Sequence, residues 1–267
     1  MQRKTLKEGI IMNTKLFNLN LVKYELRNLV GNFMTIFFGV FFPIVLSILI
    51  GTITTKDVPD SIKSTIVSQV FITCSIIIPL ATIFIGYPAL FSQELEKDIP
   101  TRLQLFGYNQ KSILIAKITA NLIVVTLSLG LYTLVDSLVL DIKIPTLKAL
   151  IISLISIYLL TLALFIAAHG ISLYFKKFSI TFGVTMTIYF AIMILSGVFG
   201  VQPDEFPKLL RSIAYLLPTT YMSCDFLDFW TGGSYNFVPY IQSFIFFIAI
   251  CGVILFIGIN HSKRKVK

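Results

Sequence analysis

Side chains able to do covalent or redox chemistry are few in this sequence, and none stands in a working arrangement. Of the three cysteines, Cys74 and Cys251 lie inside apolar runs, Cys224 lies outside them, and an odd count gives no disulfide framework. Two histidines, His169 and His261, are too few and too far apart to form a metal-ligand cluster. No Ser/His/Asp set and no His-Glu-x-x-His lies on an apolar run, so an intramembrane hydrolase is excluded. His169 is the one titratable side chain well inside such a run. A proton relay there would want a carboxylate at helical spacing, and none is present, so a packed, hydrogen-bonded histidine is the expectation. The chain also lacks G-x-x-x-x-G-K-[ST]. Any ATP it depends on must therefore be held by another protein.

That other protein would need a surface to dock on. The best one is "QELEKDIPTRLQLFGYNQKS", residues 93–112, a polar island between long apolar runs. Its charges cancel: Glu94, Glu96 and Asp98 against Lys97, Arg102 and Lys111. Neutral alternation suits a protein contact better than an anionic lipid surface, which would want net positive charge. Leu103, Leu105, Phe106 and Tyr108 are apolar anchors of the kind found at interface cores. Glu94 and Glu96 are expected as the charged contacts, with Lys97 and Arg102 beside them and Leu103 to Tyr108 as the docked knob.

The elements that must position this island are membrane spans. Hydrophobic residues make up 56% of the 267-residue chain and charged residues 13%, with a mean hydropathy of +0.86. An ordinary soluble domain carries about 25% charged residues, so the solvent here is lipid. Apolar runs at roughly 33–53, 65–92, 113–135, 148–174, 178–200 and 239–260 predict six transmembrane helices, an all-α integral membrane protein. Pro43, Pro79 and Pro88 mark expected bends, and "FKKFS" predicts a tight hairpin between the fourth and fifth spans. The net charge of +9 sits at the ends of the spans, which is a topology signal and excludes a nucleic-acid face. With both termini, the island and Lys176/Lys177 on one side, that side holds 16 Lys/Arg and the other 6, which places both termini in the cytoplasm.

Flanking segments complete the organisation. Residues 1–13 read as a disordered or non-native extension, with translation expected to start at Met12. Residues 14–32 put Leu19, Val22, Leu26, Leu29 and Val30 on one stripe, with Lys15, Lys23 and Arg27 off it, as an interfacial helix would. Residues 33–260 form the six-helix domain and 261–267 a basic tail. Residues 203–230 are too polar to span and predict short amphipathic helices at the outer face, using Leu209, Ile213, Pro218 and Tyr221, with Trp230 and Tyr235 at the headgroup level. The spans hold no Asp, Glu, Lys or Arg near their centres, and Lys117 and Asp136 at opposite ends of the third are expected to snorkel to water. An ion-coupled carrier would need ligands at the midplane, so it is disfavoured.

The order of these features resembles the membrane subunit of a bacterial ABC-2 type exporter. The matching parts are the interfacial helix before six spans, Glu94-Leu95-Glu96-Lys97 followed by Thr101, Leu103, Leu105 and "SILIAK" ending at Lys117, and "YLLPTTYMSCDFL" at 215–227. The family's usual Gly-Thr step is here Ile99-Pro100-Thr101. The resemblance implies no cofactor in this chain, ATP and Mg on two ATPase subunits, and a second permease, identical or related, in a bacterial cell membrane. The cargo expected is an amphipathic peptide (antimicrobial peptides included), drug or lipid. The alternative is a non-transporting immunity or sensor subunit that binds a peptide at its outer face.

Overall fold

The computed structural model describes residues 16–264, and among them helix is the sole extended regular structure. Six helical runs are long and apolar enough to cross a membrane: Phe33–Thr54, Asp60–Glu96, Gln110–Val139, Leu147–Phe175, Phe178–Leu195 and Phe237–Arg264. The chain is an all-α integral membrane protein. The expected extension 1–13 and the last residues of the basic tail, 265–267, lie outside the described residues. The tail's first residues continue the sixth helix as far as Arg264.

The second span is the hub: its apolar stretch is 94% buried, against 22% for the first span. Prolines set its shape. Pro79 has no N–H to give to the carbonyl of Ser75, and the helix Asp60–Ser75 ends there before Ile77–Ala81 begins. Pro88 follows a widened π turn, Thr82–Gly86, and Pro43 follows the matching turn Phe37–Phe41 in the first span. These two turns cross each other. A Cβ on Gly39 would stand 2.6 Å from Thr82 Oγ1, and one on Gly86 would overlap Thr35 Oγ1, so glycine is what lets the backbones approach. The fourth and sixth spans meet the same way, where a Cβ on Gly170 would stand 2.6 Å from the Leu255 Cα.

Before the first span, Asn18 caps the helix Leu19–Val30 by accepting from the Asn20 N–H at 2.9 Å. This helix packs along the third span with Leu21, Val22, Glu25 and Leu29 buried. The expected stripe is therefore rotated: Leu19 and Val30 are exposed, while Lys23 and Arg27 stay outside as predicted. The stripe was drawn for a lipid surface, and the partner is a second helix.

At the end of the bundle away from the termini, Lys208–Ala214 is a short helix with Leu209 and Ile213 exposed. The two that follow, Pro218–Cys224 and Phe226–Trp230, are lodged among the spans. Pro218 is buried and Tyr221 half-buried. Their polar groups are satisfied internally, as backbone at membrane depth requires: Ser196 and Thr219 hydroxyls meet at 2.5 Å, and Thr73 Oγ1 donates to the Ser223 carbonyl at 3.2 Å. Trp230, expected at the headgroup level, is buried within the protein. It is 5% exposed, and its Nε1 donates to the Lys143 carbonyl at 2.8 Å.

Candidate functional site

The polar island folds as a helical bracket between the second and third spans. The second span runs to Glu96, Asp98 turns the chain with a φ of 53°, and the helix Ile99–Leu105 follows with Pro100 in its first turn. Gly107, at φ 89°, ends it. The Gly107 N–H donates to the Gln104 carbonyl at 3.0 Å and the Tyr108 N–H to the Leu103 carbonyl at 3.1 Å, the paired bonds of a Schellman stop. Asn109 then caps the third span, accepting from the Lys111 N–H at 3.0 Å.

This stop sorts the expected knob into two halves. Leu103 and Tyr108 turn inward onto Leu21, Val22, Ile113 and Ala116. Leu105 and Phe106 point away and are 74% and 80% exposed. Lys97 and Arg102 are exposed and outside any ion pair among the described residues. Glu96 is also exposed, with Oε1 accepting from the Phe178 N–H at 2.8 Å, so it caps the start of the fifth span.

Glu94 departs from its expected role as a surface contact. It is 6% exposed and its Oε2 accepts from Lys117 Nζ at 2.6 Å. The same ammonium donates to both oxygens of Glu25, at 2.8 and 3.0 Å, and lies over the Phe91 ring at 5.3 Å. Lys117 is 3% exposed and does not snorkel. Its position on the third span is flanked by the N-terminal helix and the end of the second span, and the two carboxylates there reach it before water can. Three elements are thus tied at one buried point: the N-terminal helix, the end of the second span and the start of the third. Two carboxylates share one ammonium, and burial pushes the Glu25 carboxyl up to about 6 against the pull of Lys117, with Glu94 adding to the rise.

Sequence reasoning missed this cluster, yet a signal was present. Glu25 falls between Leu21 and Leu29, and Lys117 between Ile113 and Ala120, each at helical spacing on a stripe that is otherwise apolar. A charge inside such a stripe needs a partner. His169, by contrast, is as expected. Its Nδ1 pairs with the Tyr87 hydroxyl at 2.6 Å, and its ring stacks on Phe91 at 4.7 Å.

Residues 18–223 match the family described as ABC-2 type transporter. The chain belongs to the ABC-2 type transporter family. No match is found among curated proteins. The matched region begins at the Asn18 cap and ends at Ser223 in the lodged helix, so it contains Glu25, Glu94, Lys117 and the whole bracket. As an ABC-2 protein the chain is the permease subunit of an ABC transporter, and the family implies an ABC ATPase partner.

At the far end of the ABC-2 bundle a pocket of about 440 Å³ is lined by Tyr221, Asp225 and Asp228, with Gln69 and Asn236. Burial raises the Asp225 carboxyl, and the charge of Asp204 adds to the rise.

Proposed function

We propose that this ABC-2 permease serves an exporter in a bacterial cell membrane, with both termini and the bracket helix Ile99–Leu105 in the cytoplasm. The charge balance across the spans supports that orientation. The observation that carries the reading is the exposed pair Leu105 and Phe106, on a helix whose ends join spans tied at Lys117. A neighbouring ATPase, holding ATP and Mg, docks on this pair, with Lys97, Arg102 and Glu96 at the rim. When two such ATPases close, they push the bracket. The buried cluster passes the push to the N-terminal helix and the second and third spans together, because an ion pair this dry cannot slide without exposing a charge.

Two permease copies, identical or related, enclose the pathway. The absence of charged side chains near the middle of the spans suits amphipathic cargo, such as a peptide, drug or lipid. The far-end pocket with Tyr221, Asp225 and Asp228 favours a second reading, a peptide-binding immunity or sensor subunit, since its carboxylates suit a cationic peptide.

Co-purification with the ATPase in mild detergent separates the two. Leu105→Ala with Phe106→Ala should weaken ATPase retention by about 2 kcal/mol, roughly 30-fold, and abolish stimulation of turnover. Melting of the permease itself should not move, since both side chains are exposed. Full retention by the double variant would end the docking assignment, and a permease that never retains an ATPase would leave the sensor reading.

A further inference from the structure

The third and fourth spans are consecutive in the chain yet splay apart towards the end away from the termini. Thr126 and Tyr158 still reach each other through a 2.7 Å hydrogen bond. Beyond that point the spans bound a cleft of about 680 Å³, with Phe71 and Ile72 of the second span at its back. Its walls are mostly apolar, and its banks include Leu134 and Leu154, which are 58% and 39% exposed. In a membrane those banks face hydrocarbon, so the cleft opens sideways into lipid.

Its far end is roofed by residues 140–146, and the roof is fixed. The Lys143 N–H donates to Ser68 Oγ at 2.8 Å, its carbonyl accepts from Trp230 Nε1 at 2.8 Å, and the Thr146 N–H donates to the Trp230 carbonyl at 3.1 Å. Lys143 lines the cleft at this end, and its ammonium has no ion-pair partner among the described residues.

We propose that the cleft holds one acyl chain of an anionic phospholipid, from the leaflet at the end opposite the termini, with its headgroup on Lys143. The volume falls in the range of about 300–1,000 Å³ for small-molecule sites. A helix of about 10 Å diameter would fit fewer than about two turns in it, too little for a span of a second copy. The free ammonium at the roof supplies the charge that a phosphate complements, and the lateral opening supplies the route. The assignment does not depend on which way the protein is inserted or on what it transports.

Trp230 is the sole tryptophan in the chain and lines this cleft, so it is a built-in reporter. The full chain is reconstituted in phosphatidylcholine vesicles doped with either dibrominated phosphatidylglycerol or dibrominated phosphatidylcholine, and quenching of Trp230 fluorescence is titrated. The anionic lipid should quench with about fivefold higher apparent affinity. Lys143→Gln should bring the two lipids level. Gly130→Leu should reduce quenching by both, because Gly130 lines the cleft and has open space where the new side chain would grow. Equal quenching by both lipids, unmoved by Lys143→Gln, overturns the headgroup assignment whether or not Gly130→Leu inserts. Absence of quenching in the parent chain, or quenching undiminished in a correctly inserted Gly130→Leu variant, overturns the acyl-chain assignment and leaves the cleft to a protein partner.

Discussion

Lys117 and Asp136 sit towards opposite ends of the third span, both buried, and the protein treats them in opposite ways. Lys117 holds two carboxylates, from residues 92 and 23 positions away in sequence. Asp136 is fully buried and is in no ion pair among the described residues. Tyr132 and Ser47 lie beside it, but the Tyr132 hydroxyl is given to the Phe71 carbonyl at 2.8 Å. A charged residue near the end of a span therefore has no fixed meaning. At one end three elements converge with complementary charge and form a joint. At the other, the helices bring only hydroxyls, those of Ser47 and Tyr132, to the carboxylate, and no charged joint forms.

Removing the charge at each end tests that contrast. Lys117→Met should have the largest effect. It leaves Glu25 and Glu94 buried and facing each other, a loss of about 3–5 kcal/mol, read as a drop in melting temperature in detergent. A loss below about 1 kcal/mol would mean that the cluster is not a joint. Glu25 should give a smaller, pH-dependent effect. Its carboxyl rises from an ordinary 4.5 to about 6 on folding, so the folded chain binds that proton more tightly than the unfolded one. Its support is complete below about pH 4.5 and drains away as pH rises through about 6, a change of about 1–2 kcal/mol. Glu25→Gln should flatten that part of the stability profile while keeping most of the melting temperature at pH 7, and an unchanged slope would count against the raised Glu25 carboxyl. Asp136→Asn should do least, within about 1 kcal/mol, because no buried charge is left behind and the amide still offers an oxygen to the neighbouring hydroxyls. A penalty as large as that of Lys117→Met would reveal a bound partner and erase the contrast between the two ends.

Much of the frame was legible beforehand because its causes are local. Six spans follow from apolar length, and the bends at Pro43, Pro79 and Pro88 from missing N–H groups. Of the four apolar residues expected as a knob, Leu105 and Phe106 are exposed. Leu103 and Tyr108 could not be told apart from them, since all four are apolar and the side each faces depends on how the Schellman stop aims the chain.

What the sequence determined by itself was a multi-span helical protein with a polar bracket between its second and third spans. The tertiary structure decided that Glu94 faces inward, that Lys117 binds it together with Glu25, that Trp230 is buried against a cleft, and that two short helices lie among the spans. The physical reason is the same in each case. Local patterns fix the conformation of a segment, but a buried polar group is placed by whichever distant partner satisfies it, and that partner exists only after the helices pack.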